Sequence, residues 1–301
     1  MIRVLTAIVL LAPPPPQTWT TDKIPGAIVV KAGGAEVLRY QLEKPADSKL
    51  AVEGACYFHP LTTPSGISVT DVAPSDHPHH RGIFLAWVEM HGAKDADFWG
   101  WGEHAPKDKR KIVNREATDL KGGEAGSFRA RNDWLAEDVA VVTEDLQATV
   151  RKVDSAHVLD LVYTITAAEE MKISQWAFSG FCLRTRKDVK LETVGPDGPV
   201  KLKDPKHTDP KSDWPAAAWY GFNMTLPDGK VAGAAVIDHP KNPPTLWHVV
   251  KGIGMLNPSV TAPAALTLRA KEPLVLRYRV VATDGPLSLD AMSALVKEWG
   301  K

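Results

Sequence analysis

The sequence predicts an all-β chain, a large antiparallel sandwich with one short C-terminal helix. Three observations point there. Apolar residues recur with period two at Leu159, Leu161, Tyr163 and Ile165, and again at Leu274, Leu276, Tyr278 and Val280. That is the pattern of strands with one buried face. The chain carries 22 glycines and 24 prolines in 301 residues, and many short apolar runs separated by such residues suggest a sandwich. Only one stretch, near the C-terminus, has helical spacing.

The elements follow in order. Residues 1–20 read as an export signal and proline-rich leader: Arg3 gives a positive start, Val4 to Ala12 is a short apolar run, and Pro13 to Pro16 follow. The run is far below the ~18 residues needed to span a bilayer. Residues 21–301 read as a single domain. Ala27 to Ala32 and Ala35 to Leu42 flank Gly33-Gly34, a hairpin signal. Ile83 to Met90 is a near-continuous apolar run, as a buried strand would be. Val139 to Val153, Met171 to Arg184, Val231 to Ile237 and Ala264 to Ala270 add further strands. Lys201 to Pro215 is a long loop rich in Pro, Asp and Lys. Ser288 can cap a helix of about 288–300, with Asp290 in its first turn and Leu289, Met292, Val296 and Trp299 at helical spacing. Gly300 ends it.

Composition narrows the function classes. Lysine plus arginine equals aspartate plus glutamate, 36 each. No basic field argues for nucleic acid, and no apolar stretch is long enough for a membrane span. Cys56 and Cys182 are the only cysteines. They are compatible with one disulfide or with two buried thiols. No nucleophile elbow, phosphate-binding loop or dinucleotide fingerprint is present.

The chemistry concentrates in Ser75-Asp76-His77-Pro78-His79-His80-Arg81-Gly82, which holds three of the ten histidines. Histidine switches between acid, base and metal ligand near neutral pH. In an extended chain His77 and His79 point to one side and His80 to the other. His77 and His79 could hold a divalent metal or act as an acid–base pair. Asp76, His77, His79, His80 and Arg81 are therefore candidate catalytic residues. Asp238-His239-Pro240 echoes the upstream Asp-His-Pro, and Trp247-His248 follows. His239 and His248 join the catalytic candidates as a second wall. Phe98-Trp99-Gly100-Trp101-Gly102 places glycines beside tryptophans, which bares ring faces suited to the C–H faces of sugars. Trp99, Trp101, Glu89, Asp238 and Trp247 are the candidate substrate contacts.

Tyr57-Phe58-His59-Pro60-Leu61 with Thr63-Pro64-Ser65-Gly66, then Asp76 to Gly82, then Asp97-Phe98-Trp99-Gly100, resembles the PmoA-like family, labelled "methane oxygenase PmoA". Asp238-His239-Pro240, Asn242-Pro243 and Trp247-His248 are similar to its C-terminal half. The resemblance covers nearly the whole chain after the leader. It implies a sandwich of the galactose mutarotase supersandwich type. Taken together, these features predict an exported, periplasmic or extracellular, carbohydrate-active protein. Its chemistry would be histidine and carboxylate acid–base work on a sugar or oxidised sugar, as in an epimerase, lyase or hydrolase. A metal-dependent oxidative enzyme, as the label implies, and a non-catalytic carbohydrate-binding module are the alternatives.

Overall fold

A computed structural model describes residues 18–205 and 214–301. The leader up to residue 17 lies outside the described residues, as does part of the predicted 201–215 loop. The first strand, Trp19–Ile24, begins within the last two residues of the predicted leader.

Two antiparallel sheets make the body. Among the described residues, one has eight strands in the order Trp19–Ile24, Ala27–Ala32, Ala35–Gln41, Tyr57–Leu61, Ile83–Ala86, Gly180–Arg184, Met255–Ser259 and Leu246–Val250. The other has nine, in the order Gly198–Pro199, Lys190–Gly195, Trp219–Thr225, Val231–Asp238, Pro273–Asp284, Ala156–Ala167, Val139–Val153, Gly126–Ala136 and Arg110–Lys121. A small third sheet joins Leu266–Leu268, Met171–Ile173 and Met90–His91. The fold is an all-β sandwich, as the alternating patterns predict.

The predicted hairpin forms across Gly33-Gly34. Leu159, Leu161, Tyr163 and Ile165 are all buried, while the intervening residues are partly exposed. The inner faces meet through aromatic side chains: Phe181 of the eight-stranded sheet stacks on Tyr278 of the other at 4.0 Å. Such pairs add stability beyond their buried area.

Two predicted strands are broken. The run from Ile83 leaves its sheet after Ala86, because the Trp87 carbonyl accepts the N–H groups of Phe98 and Trp99 at 3.0 and 3.1 Å. The run from Met171 divides into Met171–Ile173 and Gly180–Arg184, and the six residues between carry Trp176 and Phe178. The predicted helix is Leu289–Trp299, with the Ser288 hydroxyl accepting the Ala291 N–H at 3.4 Å. It packs Met292 and Leu295 against Val158, Ile237 and Val281, on the outer face of the nine-stranded sheet.

This arrangement leaves the outer face of the eight-stranded sheet for the site. Phe181 and Leu183 point inward, so Cys182 and Arg184, one residue out of phase, point outward. Phe84 lies opposite Cys182, and Met255 lies opposite Arg184.

Candidate functional site

The histidine segment is a series of tight turns, not an extended strand. The His77 N–H donates to the Pro74 carbonyl at 3.0 Å, and the His80 N–H to the His77 carbonyl at 2.9 Å. This corrects the expectation that His80 points away from the other two. All three rings gather, with centroids 5.8 Å apart for His77 and His79, 4.8 Å for His77 and His80, and 4.7 Å for His79 and His80. The turn ends at Gly82, whose φ of +60° suits glycine, and a Cβ there would overlap the Phe58 carbonyl oxygen.

The tryptophan loop closes over this cluster. Asp97 is buried, and its two carboxylate oxygens accept the N–H groups of Gly100 and Gly102 at 2.7 and 2.5 Å. Gly100 has φ +103°, and a Cβ there would overlap Val52 and press on His79 at 3.0 Å. The loop can therefore lie against the histidines only because residue 100 lacks a side chain. Trp99 meets His80 edge-on at 5.6 Å and Phe178 at 5.6 Å; Trp101 meets Phe178 at 5.2 Å.

The result is a pocket lined by His77, His79, His80, Trp99, Trp101, Phe178, Ile253 and Met255. Five of the predicted site residues thus share one cavity. Phe178, Ile253 and Met255 are additions that single-sequence periodicity does not distinguish from core. Trp101 is continued by an aromatic rim in which Trp176 meets His104 at a tilt of 40°, with ring centres 4.3 Å apart.

Asp76 stands beside the pocket. Its carboxylate lies 3.4 Å from His77 Nδ1, 3.1 Å from Lys187 Nζ and 3.3 Å from Arg184 Nη2. Burial pushes its pKa up, but the Lys187 hydrogen bond and the Arg184 charge win and hold it at about 2. Burial is also the main reason the His79 pKa falls to about 3, with the charges of His77, Arg81, Lys107 and Arg184 adding to it. His80, 2% exposed, is pushed well down for the same leading reason. Both rings are neutral in the resting pocket.

Other predicted residues take different places. The Arg81 guanidinium is buried and points at backbone. Nη1 donates to the carbonyls of His79 and Trp99 at 3.3 and 3.2 Å, and Nη2 to that of Phe98 at 3.0 Å. It ties the two loops together and does not line the pocket. Glu89 sits behind the rim, taking the Trp176 indole N–H at 2.7 Å and meeting His91 at 2.8 Å. His248 lies on the pocket side of its strand, 5.5 Å from Phe178, one ring removed from the cavity. Trp247, its neighbour, points to the opposite face, where it meets Tyr220 at 5.2 Å. The strand alternation separates this pair.

His239 and Asp238 do not join the site. His239 packs edge-on against Trp299 of the helix at 5.2 Å, and its Nδ1 accepts the Lys241 N–H at 3.0 Å. Asp238 accepts from Asn242 at 2.7 Å, and burial raises its pKa to about 6. The repeated Asp-His-Pro tripeptide is thus a strand-end turn in its second occurrence.

Among the described residues, no group of three or more His, Cys, Asp or Glu is arranged to hold a metal ion. His77 and His79 therefore lack a third ligand of these types there. Cys56 and Cys182 are both buried free thiols. No helix among the described residues is long and apolar enough to cross a membrane.

Comparison with known proteins gives a family and a set of distant folds. Residues 27–297 match the family described as "Family of unknown function (DUF6807)". That description assigns no oxygenase activity, so the PmoA label finds no support in it. No curated protein matches the sequence. Among solved structures, the chain is similar to the GH36 α-galactosidase AgaA from Geobacillus stearothermophilus, with 8% identity and a TM-score of 0.40 over 89% of this chain and 41% of that one. It is also similar to a galactose mutarotase related enzyme from Lactobacillus acidophilus, with 7% identity and a TM-score of 0.37 over 89% of this chain and 98% of that one. A TPR-domain containing protein from Parabacteroides distasonis ATCC 8503 shares 11% identity at a TM-score of 0.41, over 88% of this chain and 48% of that one. The chain spans less than half the length of the α-galactosidase and of the TPR-domain protein. Likenesses at this level carry no argument about substrate.

Proposed function

The chain belongs to that family of unknown function, and from the geometry of its pocket we propose that it is a carbohydrate-active protein using imidazole acid–base chemistry. One observation carries the reading. Three imidazoles lie within 5.8 Å of one another in a cavity that two tryptophans also line.

The parts divide by chemistry. Indole faces suit the C–H faces of a pyranose, and nitrogen atoms at the rim suit its hydroxyls. Neutral His79 and His80 can each accept a proton at one ring nitrogen and donate from the other. One ring would take a proton from the sugar, and a second would return one to the oxygen that develops charge. Asp76, within ion-pair distance of His77, would orient that ring. Epimerisation, elimination from an oxidised sugar and hydrolysis all use such a pair. The apolar run before the proline tract supports export to the periplasm or beyond as part of the same proposal.

The test is a screen of mono- and oligosaccharides with both binding and product detection, repeated on His79→Ala and His80→Ala. The reading expects turnover of at least one sugar and its loss by roughly two to four orders of magnitude in each variant. Binding without turnover would instead make the chain a carbohydrate-binding module. Full activity in both variants would overturn the assignment.

A further inference from the structure

The charge around the pocket is unbalanced. Arg184 projects from the sheet beneath it, opposite Met255 of the pocket wall. Its side chain is 0% exposed. Nη2 reaches Asp76, while Nε and Nη1 have no hydrogen-bond partner among the described residues. Buried guanidinium donors without acceptors are uncommon, since each costs its full desolvation. Asp76, the carboxylate that Arg184 contacts, is shared with Lys187 and His77. Arg81 turns Nη1 and Nη2 to three neutral carbonyls, and its buried Nε has no hydrogen-bond partner among the described residues. Asp97 turns both oxygens to backbone N–H groups of its own loop.

Among the described residues, then, Arg81, Lys107, Arg184 and Lys187 stand around the imidazoles, against the carboxylates of Asp71, Asp76 and Asp97. The first, second and third of these cations act on His79 strongly enough to add to the effect of its burial. His80 Nδ1, in the wall of the cavity, is itself buried without a hydrogen-bond partner among the described residues. Beyond Ile253, which lines both, lies a second groove of about 690 Å³. It carries Arg186, Lys187 and Lys251. Among the described lining residues the one carboxylate, Asp204, accepts the backbone N–H groups of Lys251 and Gly252 at 2.9 and 3.1 Å, and Arg186 is tied to Asp188 at 2.7 Å. No Lys or Arg lines the histidine pocket itself among the described residues, so its cations act from behind the wall, while the second groove presents Arg186, Lys187 and Lys251 directly and draws anions.

We propose that the pocket selects an acidic sugar: its ligand is a hexuronate, or a uronate unit of an oligosaccharide that continues into the second groove. This rests on reading the pocket as a sugar site and narrows it to one substrate class. A carboxylate fits better than a phosphate ester. The cavity wall is largely Trp, Phe, Ile and Met, and stripping water from a dianion against such a surface costs more than stripping it from a monoanion. The carboxylate supplies the charge that the surplus cations lack and an acceptor for a neutral imidazole N–H.

The experiment is calorimetric titration of the full chain with D-galacturonate, D-glucuronate and D-mannuronate, with the matching neutral hexoses, and with the hexose 6-phosphates. At least one uronate should bind about tenfold or more tightly than its neutral hexose, and the margin should shrink as salt is added. Lys187→Ala, at a half-exposed position, should cut that margin several-fold. Arg184→Met should do the same; if that variant does not fold, Lys187→Ala decides. Equal affinity for uronate and hexose would overturn this inference and leave the sugar reading standing. Tighter binding of the phosphate would overturn it too. Binding of none of these sugars would remove both.

Discussion

The guanidinium of Arg81 holds the carbonyl of Trp99 at 3.2 Å, across a gap of 18 residues in the chain. Through this contact and the Phe98 carbonyl, a residue at the end of the histidine turns fixes the loop that carries the tryptophans. Arg81 is thus a positioning residue. Its charge is buried, and burial is the main reason its pKa is lowered to about 10.

Arg81→Met would strand three carbonyls and remove the cation beside Asp97. Leaving a buried acceptor unsatisfied costs roughly 1–3 kcal/mol. Urea denaturation should show that loss. Arg81→Lys should recover part of it, since one ammonium can reach some but not all of the three carbonyls. An unchanged midpoint for Arg81→Met would refute this role.

Gly100→Ala tests how the two loops meet. The new methyl would sit against Val52 and His79 at a φ of +103°, where L residues are strained. The strain alone is worth about 1–3 kcal/mol. The more telling effect is displacement of His79, so sugar affinity should fall further than in Gly34→Ala. Residue 34 also has positive φ, but open space surrounds it. Equal affinity in the two variants would count against contact between the loops.

Stability should depend on pH through Glu144. This carboxyl is buried between the sheets, where Asn132 Nδ2 and Trp134 Nε1 donate to it at 2.7 and 3.0 Å. Burial outweighs those bonds and raises its pKa from 4.5 to about 7. The folded chain therefore holds this proton after the unfolded chain has released it. Stability from this group is full below about pH 4.5, falls as pH rises to about 7, and is flat above. The change is on the order of 3 kcal/mol, since each tenfold difference in proton affinity between the folded and unfolded chain is worth about 1.4 kcal/mol. In Glu144→Gln this component of the pH slope should vanish, as urea midpoints at pH 5 and pH 8 would show. An unchanged slope would place the titration elsewhere.

Both thiols should be inert in the native state. Cys56 and Cys182 are buried, and burial pushes their pKa values far up. The thiolate is the reactive form. A disulfide reagent should label neither in buffer and both in concentrated urea. Rapid native labelling of either would contradict the packing.

Much of this fold is legible in sequence because one face of each strand is uniformly apolar. The strand Val139–Val153 has the predicted bounds, and the helix has the predicted cap. Arg110–Lys121 and Gly126–Ala136 escape the same reading. The first is dense in charge, and the second places Asn132, fully buried, among its inward residues Phe128, Ala130 and Trp134. Asn132 is tolerated there because Glu144 and Tyr40 complete its hydrogen bonds. The histidine turns announce themselves by composition alone. What composition does not reveal is which distant residues meet them. Phe178 and Met255 have the chemistry of core residues, and Arg184 reads as one strand cation among many. His239 shows the converse: a second Asp-His-Pro is visible in the chain, but the fold carries it to the helix side.

The most direct test is a long-range ¹H–¹⁵N spectrum of the imidazole nitrogens during titration with a sugar that binds. The resonances of His79 and His80 should shift together with ligand occupancy, while those of His239 stay in place. Saturation of the protein with no change at His79 or His80, or with the change confined to His239, would contradict it.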